Sequence, residues 1–282
     1  MSSMPDIFEA LKDRLWQFVP DGVALAYSGG VDSTLLLAVL AGMQKEKPFP
    51  FWAVTVRSVF QTENEWEDAR SNVAGFEVNW QMICYDPLHC PEIKNNPVDR
   101  CYWCKRHFFR KIFSFAEEKQ LDWVMDGTNY DDLHVYRPGR KALHELGVIS
   151  PLASLGITKN DIRALAAELK LKCALKPAAP CMATRFPYGA ELTEEAIERV
   201  VQGEGLLRKM FPEVSNLRLR VQESIARIEV DREWVPALAA AASTVTEGLK
   251  ALGFQYITLD LEGFRSGSMD IGLAMNGKEF SK

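Results

Sequence analysis

No stretch of the 282 residues approaches the roughly 20 consecutive apolar positions that span a bilayer. The opening residues, from Met1 to Asp6, carry neither a basic flank, an apolar core nor a small-residue cleavage site, so a cytoplasmic location is expected. Basic blocks are missing as well. Lysine and arginine number 33 against 38 acidic residues, for a net charge of -5 and a pI of about 5.6. That balance counts against a general nucleic-acid binder, whose affinity comes from a basic face, but it suits a small anionic substrate held by a few placed arginines. Gln/Asn tracts, Ser/Gly linkers, collagen-like periods and internal repeats are absent, which excludes long disordered or repetitive segments. Cysteine is sparse. Six in a chain of this length, in a reducing compartment, do not make a disulfide framework. They are therefore small buried hydrophobes, or ligands and nucleophiles, and spacing has to decide.

The apolar fraction of 47% and charged fraction of 25% are those of a chain that folds throughout. Its length suggests one large domain with a smaller one attached. Over the first two-thirds, short apolar runs alternate with amphipathic segments, the pattern of a parallel sheet covered by helices. Helices are predicted over residues 5–19, 33–45, 63–76, 104–119 and 158–171, and strands over 23–27, 51–56, 80–85 and 123–125. Thr158 with Asp161 forms a weaker version of the capping box. The stretch from 87 to 100 is long enough for a functional loop. Residues 176–189, with three prolines and a glycine, read as an ordered loop between domains. Beyond it the order becomes helix 194–210, strands 217–222 and 226–230, a long helix over 233–252 and strand 256–261. The expected fold class is thus α/β, a doubly wound parallel sheet over 1–185, with a smaller α+β domain over 186–282.

The strongest signal is Tyr27-Ser-Gly-Gly-Val-Asp-Ser-Thr34, set between the first strand and the helix after it. Gly29 and Gly30 let backbone approach a polyanion, the helix start offers N–H groups with partial positive charge, and Ser28, Ser33 and Thr34 add hydroxyls. The loop lacks the Gly-Lys-Ser/Thr ending of the Walker loop and the third glycine of the dinucleotide fingerprint. Neither γ-phosphate transfer nor NAD binding follows from it. Asp126-Gly127-Thr-Asn-Tyr-Asp-Asp132 comes after the fourth strand, so the crevice rule places it at the same cleft, where its carboxylates suit Mg; a plain Asp-Gly turn is the blander reading.

Cys101-Tyr-Trp-Cys104 opens a predicted helix, and by itself such a pair is half a zinc site, a redox pair or an accident of a helix start. Cys181 sits with Arg185 in the Pro-rich loop, where a guanidinium would favour the thiolate and orient an anion; a structural cysteine is the alternative. Cys84 and Cys173 read as structural, and Cys90 stays undetermined. Arg218 and Arg220 share one face of a predicted strand, with Glu229 as a polar partner on the next; a solvated strand face is the rival reading.

SGGVDS resembles the SGGxDS loop of the PP-loop ATP pyrophosphatases, and DGTNYDD matches that superfamily's second segment. With RCYWCK, PCMATRFPYG, LRLRVQESIARIEV and YITLDLEGFRSGSMD, nearly the whole chain resembles the LarE family of ATP-dependent sulfur transferases. The resemblance implies an enzyme that binds ATP with Mg, Asp32 being associated with Mg-pyrophosphate, and that adenylates a carboxylate of pyridinium-3,5-biscarboxylate mononucleotide and replaces its oxygen by sulfur. It implies Arg218 and Arg220, beside Arg185, as the clamp on the substrate phosphate. It also implies a homo-oligomer without a membrane or nucleic-acid partner, acting in nickel-pincer cofactor biosynthesis. By the same resemblance, sulfur would come either from Cys181 itself or from a [4Fe-4S] cluster held by Cys101, Cys104 and Cys181. Three thiolates for a cluster normally bound by four leave one iron open, which favours the cluster route. Within the superfamily tRNA thiolation is the rival function, and outside it a nucleotide sensor without turnover.

Overall fold

The computed structural model describes residues 4–135, 137–175, 180–265 and 267. Parts of two quoted segments, 176–179 in the Pro-rich loop and most of the sequence after 265, lie outside the described residues. The chain forms two units, Met1–Asp86 with Asp99–Ala179, and Pro87–Val98 with Pro180–Lys282. The single cut expected at residue 185 thus becomes a junction after Ala179 plus an excursion of Pro87–Val98 into the second unit.

In the first unit α1 (Met4–Trp16) precedes β1 (Val23–Ala26), α2 (Val31–Glu46), β2 (Phe51–Arg57), α3 (Glu63–Val73), β3 (Asn79–Cys84), α4 (Arg100–Glu118), β4 (Trp123–Met125), α5 (Gly139–Glu145) and α6 (Lys159–Glu168). The strands make one parallel sheet in the order β3-β2-β1-β4, and Ile149 adds a parallel bridge to Met125. Both faces are covered, so β1 is apolar at every position rather than alternating. Val23 and Leu25 join the cluster shared with α1, α2 and α6, whereas Ala24 and Val124 join Phe109, Ile112 and Phe115 of α4 on the other face. The chain moves outward from β1 to β3 and then returns to the far side of β1, which puts the topological switch point between the C-terminal ends of β1 and β4.

The capping box starting α6 is present, Thr158 accepting from the Asp161 amide and Asp161 accepting from the Thr158 amide. The helix over the CxxC starts at Arg100, earlier than predicted, so both cysteines lie inside α4. Cys84, read as structural, is exposed, because β3 is an edge strand; Cys173 is buried.

The second unit contains α7 (Glu194–Met210), β5 (Leu217–Gln222), β6 (Ile225–Val230), α8 (Val235–Ala240), α9 (Ala242–Ala251) and β7 (Tyr256–Leu259). β5 and β6 are antiparallel, and β7 runs parallel to β6. Leu219 faces α7, where a Cβ on Gly203 would lie 2.5 Å from the leucine Cδ2. The single long helix predicted over 233–252 is broken at Ala241, and neither a glycine nor an internal proline marks that break in the sequence. Strand β7 stops before residue 261 because Asp260 turns the chain, accepting from the amides of Glu262 and Gly263. The supposed loop 87–100 is partly a short helix, Pro91–Lys94. It is bound into this unit by the fully buried Asn96, whose Nδ2 donates to the carbonyls of Phe186 (3.0 Å) and Pro187 (2.8 Å).

Candidate functional site

Because β1 ends at Ala26 and α2 begins at Val31, the residues from Tyr27 to Gly30 must turn the chain at the switch point. Hydroxyls brace that turn: Ser33 Oγ accepts from the Ser28 amide (3.2 Å), contacts Ser28 Oγ (3.1 Å) and donates to the Gly30 carbonyl (3.2 Å). Ser33 and Thr34 are themselves buried, so of the three hydroxyls read as phosphate donors Ser28 is the exposed one. Gly29 has φ +76°, and a Cβ there would sit 2.9 Å from Ala69 Cα. Left-handed backbone and direct collision both exclude a side chain. Tyr27 buttresses the same contact, its hydroxyl donating to the Ala69 carbonyl at 3.4 Å; burial pushes its pKa up to about 12, so the donor proton is retained. Gly29→Ala is accordingly expected to destabilise the chain by at least about 1–2 kcal/mol, the cost of a left-handed residue with a side chain, read as a lowered midpoint of urea unfolding.

The second loop closes on the first. A Cβ on Gly127 would lie 2.9 Å from the Ser33 nitrogen, so this glycine lets two backbones touch. Asp126 is buried and serves the loop itself: its Oδ1 accepts from the Thr128 amide (3.2 Å) and Ser150 Oγ (2.6 Å), and its Oδ2 from Thr128 Oγ1 (2.5 Å). It holds Gly127 in place rather than presenting a carboxylate. Asp32 presents one. Its Oδ1 accepts from Asn129 Nδ2 (3.1 Å) and its Oδ2 from Lys159 Nζ (2.5 Å), with the side chain 21% exposed. Asp32 therefore fits Mg as a hard oxygen ligand, and Asp126 does not fit in this arrangement. Asn129 and Lys159 were not singled out by sequence reading. The signal that would have found Lys159 is the capping box itself, which starts α6 next to the crevice.

Cys101 and Cys104 belong to the first unit, three residues apart on α4, the first exposed and the second half-buried. Among the described residues no group of three His, Cys, Asp or Glu side chains is placed to hold a metal ion.

In the second unit Cys181 precedes a 3-10 turn, Met182–Arg185. Its carbonyl accepts from Thr184 Oγ1 (2.7 Å), the Thr184 amide (3.0 Å) and Arg185 Nη1 (3.4 Å), which fixes the backbone that carries the thiol. Arg185, expected from the sequence to meet an anionic ligand, is engaged internally: Glu204 accepts from its Nε (2.8 Å) and Nη2 (3.0 Å), and both side chains are almost fully buried. Glu204 Oε1 also accepts from the Leu219 amide (2.9 Å), capping the outer edge of β5.

Arg218, Arg220, Arg227 and Glu229 share one face of the β5–β6 pair, since Arg218 lies opposite Glu229 and Arg220 opposite Arg227. Glu229 is fully buried and accepts from Arg220 Nε (3.0 Å) and Arg227 Nη2 (3.0 Å), the partnership anticipated from the sequence, and Arg220 also donates to the Thr184 carbonyl. Arg218 differs. It is 8% exposed, donates to the neighbouring Leu217 carbonyl (2.7 Å) and lies over the Phe264 ring, and among the described residues no carboxylate pairs with it. Burial, and next the nearby Arg185, push its pKa down to about 10, with Arg208 and Arg220 acting the same way and Glu204 opposing. Arg218 is thus a largely buried cation set among Arg185, Arg208 and Arg220 on one side and the carboxylates of Glu204 and Glu229, which serve other arginines, on the other.

No helix among the described residues is long and apolar enough to cross a membrane. No family model matches the sequence. An uncharacterized protein of Synechocystis sp. is 35% identical over 94% of this chain and 98% of its own length, and one of Methanocaldococcus jannaschii is 31% identical over 91% and 96%. The pyridinium-3,5-bisthiocarboxylic acid mononucleotide synthase of Lactiplantibacillus plantarum is 37% identical over 88% of both chains. Identity of that extent to a named LarE protein, over a parallel sheet with its glycine loop at the switch point, shows that this chain belongs to the LarE family.

Proposed function

We propose that this enzyme activates a carboxylate of a pyridinium-3,5-biscarboxylate mononucleotide with ATP and replaces its oxygen by sulfur, within the biosynthesis of a nickel-pincer cofactor. The name of the Lactiplantibacillus plantarum relative supports the substrate class. The observation that carries the adenylating half is the cradle at the switch point, where the turn from Tyr27 to Gly30, the start of α2 and Asp32 face one crevice. A substrate carboxylate oxygen attacks the α-phosphorus, the bond to the bridging oxygen breaks, and its electron pair leaves with pyrophosphate. A sulfur nucleophile then adds to the acyl carbon and expels AMP, leaving a thiocarboxylate. Ser28 and the backbone of Gly29 and Gly30 would hold the departing diphosphate, and Mg bound through Asp32 would neutralise part of its charge. Arg218, which no carboxylate among the described residues pairs with, is the residue best suited to the substrate phosphate. Arg185 and Arg220 would support that strand and turn.

For the sulfur donor the proposal keeps the cluster route. In that route Cys101, Cys104 and Cys181 would each supply a thiolate, and the iron left without a protein ligand would carry sulfide. The competing route consumes the sulfur of Cys181 alone. Assembly as a homo-oligomer belongs to the same reading.

The test is AMP and pyrophosphate formation by anaerobically purified protein, together with its iron and sulfide content and intact mass. Formation of AMP that depends on the pyridinium dicarboxylate mononucleotide is expected. Absence of AMP with that substrate overturns the adenylation reading. Protein without iron whose mass falls by one H2S on turnover replaces the cluster by the consumed cysteine.

A further inference from the structure

Cys101 and Cys104 stand three positions apart in the opening turns of α4. At that spacing the Cα atoms fall within the range a disulfide bridges, but the Cβ atoms are about 5–6 Å apart, wider than the roughly 3.5–4.5 Å such a bond takes. A regular helix interior resists closure, whereas a helix start that can shift allows it. The start of α4 is of the second kind. Asp99 precedes it without a side-chain cap, its Oδ2 accepting from Trp103 Nε1 (2.9 Å) instead. The first turn closes on the Asp99 carbonyl, which accepts from the amides of Tyr102 (2.9 Å) and Trp103 (3.4 Å), and the Cys101 amide belongs to the group that has no intrahelical partner. Drawing Cys101 toward Cys104 therefore disturbs one short and one long hydrogen bond and leaves the later turns alone. The two sulfurs also differ in access, Cys101 being exposed and Cys104 half-buried, so a reagent meets Cys101 first. Arg100, 3% exposed, holds Nη2 3.6 Å from Cys101 Sγ, a fixed cation against the sulfur that carries negative charge during thiol–disulfide exchange.

We propose that Cys101 and Cys104 form a reversible disulfide, a redox modification site that closes when neither sulfur holds metal and that denies the pair to metal while it lasts. The oxidant is a low-molecular-weight disulfide, for which glutathione disulfide serves as the probe. The Cys101 thiolate attacks one sulfur of that disulfide, the S–S bond breaks, and one glutathione leaves as thiolate with the bonding pair. Cys104 then gives up its proton and attacks the Cys101 sulfur, expelling the second glutathione. In balance the two protein thiols lose two electrons and two protons, and the oxidant becomes two thiols. Because the first turn must be pulled out of helical register, the bond is strained and readily reduced, as a regulatory disulfide is and a structural one is not. The step uses neither ATP nor a cluster and so stands apart from the reading above. Within the cluster route it would stop sulfur delivery and leave adenylation running.

The experiment takes the full-length protein, freed of iron by a chelator under nitrogen, and equilibrates it with glutathione and its disulfide at increasing ratios before free thiols are trapped with iodoacetamide. Trypsin cuts after Arg100 and after Lys105, so one peptide, Cys101–Lys105, carries both sulfurs. That peptide is expected with both thiols labelled, or with neither labelled and its mass lower by two hydrogens, and dithiothreitol should restore both labels. In Cys104→Ser, Cys101 should instead keep one glutathione. In Cys101→Ser, the half-buried Cys104 should react at least about tenfold more slowly than Cys101 does in Cys104→Ser. Glutathione that stays on Cys101 in the wild-type protein, a bond from Cys101 to any other cysteine, or full labelling at every ratio each overturns the proposal. Reconstitution with iron and sulfide then separates it from the cluster route. Iron uptake by the reduced protein, cut at least about tenfold by prior oxidation, supports the exclusion of metal. Equal uptake by the oxidised form overturns it, and no uptake by a reduced protein whose pair closes defeats the cluster route and leaves the disulfide standing.

Discussion

Cys181→Ala is expected to lower thiocarboxylate formation at least about 10³-fold, the scale of losing a group that takes part covalently, while substrate-dependent exchange between ATP and pyrophosphate stays within about threefold. In the proposed reaction both sulfur routes pass through this thiol, whereas adenylation would use the Ser28–Thr34 cradle. The variant keeps the carbonyl that accepts from Thr184 and Arg185, so the turn Met182–Arg185 should survive. A melting temperature close to wild type would separate lost chemistry from lost structure. Thiocarboxylate formation at the wild-type rate by this variant would remove Cys181 from the reaction. Cys101→Ala then divides the routes: an equal loss belongs to the cluster, and full single-turnover activity belongs to the consumed cysteine.

The largest expected effect on stability is at Glu204. Its carboxylate joins α7 to the 3-10 turn through Arg185 and to the edge of β5 through the Leu219 amide, all out of water. Glu204→Ala strands the Arg185 guanidinium and orphans the Leu219 amide. Breaking a buried pair by removing one partner costs roughly 3–5 kcal/mol, because the remaining charge is left uncompensated. Urea unfolding should show that loss. The double replacement Arg185→Met with Glu204→Met, which removes both charges together, should recover a large part of it. A loss below about 1 kcal/mol in the single variant would mean that water reaches the guanidinium and that the pair is less enclosed than its 4% and 9% side-chain exposures imply.

The parallel sheet was legible because its strands are apolar at nearly every position and are separated by helix-period segments, a pattern a doubly covered sheet requires. The glycine loop was legible from local chemistry alone, since strand, glycine pair and helix start are contiguous. What was not legible depends on pairs far apart in sequence. The stretch 87–98 looked like a loop, and its attachment to the second unit rests on Asn96 reaching carbonyls some 90 positions later. Arg185 looked like an anion ligand, and only the fold shows its guanidinium engaged by Glu204. Asp126 looked like a metal carboxylate until Ser150 and Thr128 were seen to occupy it. Each polar side chain offers the same donors or acceptors in any sequence, so composition cannot tell which are already satisfied internally.

The sequence by itself thus determined the class of fold, the position of the glycine turn and the family, since these follow from periodicity, contiguous motifs and overall identity. The tertiary structure alone decided which charged groups are already engaged within the fold, and by which partners. It gives Glu204 to Arg185, Ser150 and Thr128 to Asp126, and Asn129 and Lys159 to Asp32, while among the described residues no carboxylate pairs with Arg218. The physical reason is that a buried charge must be compensated, and its compensation comes from whichever chain segment the fold brings within hydrogen-bond distance.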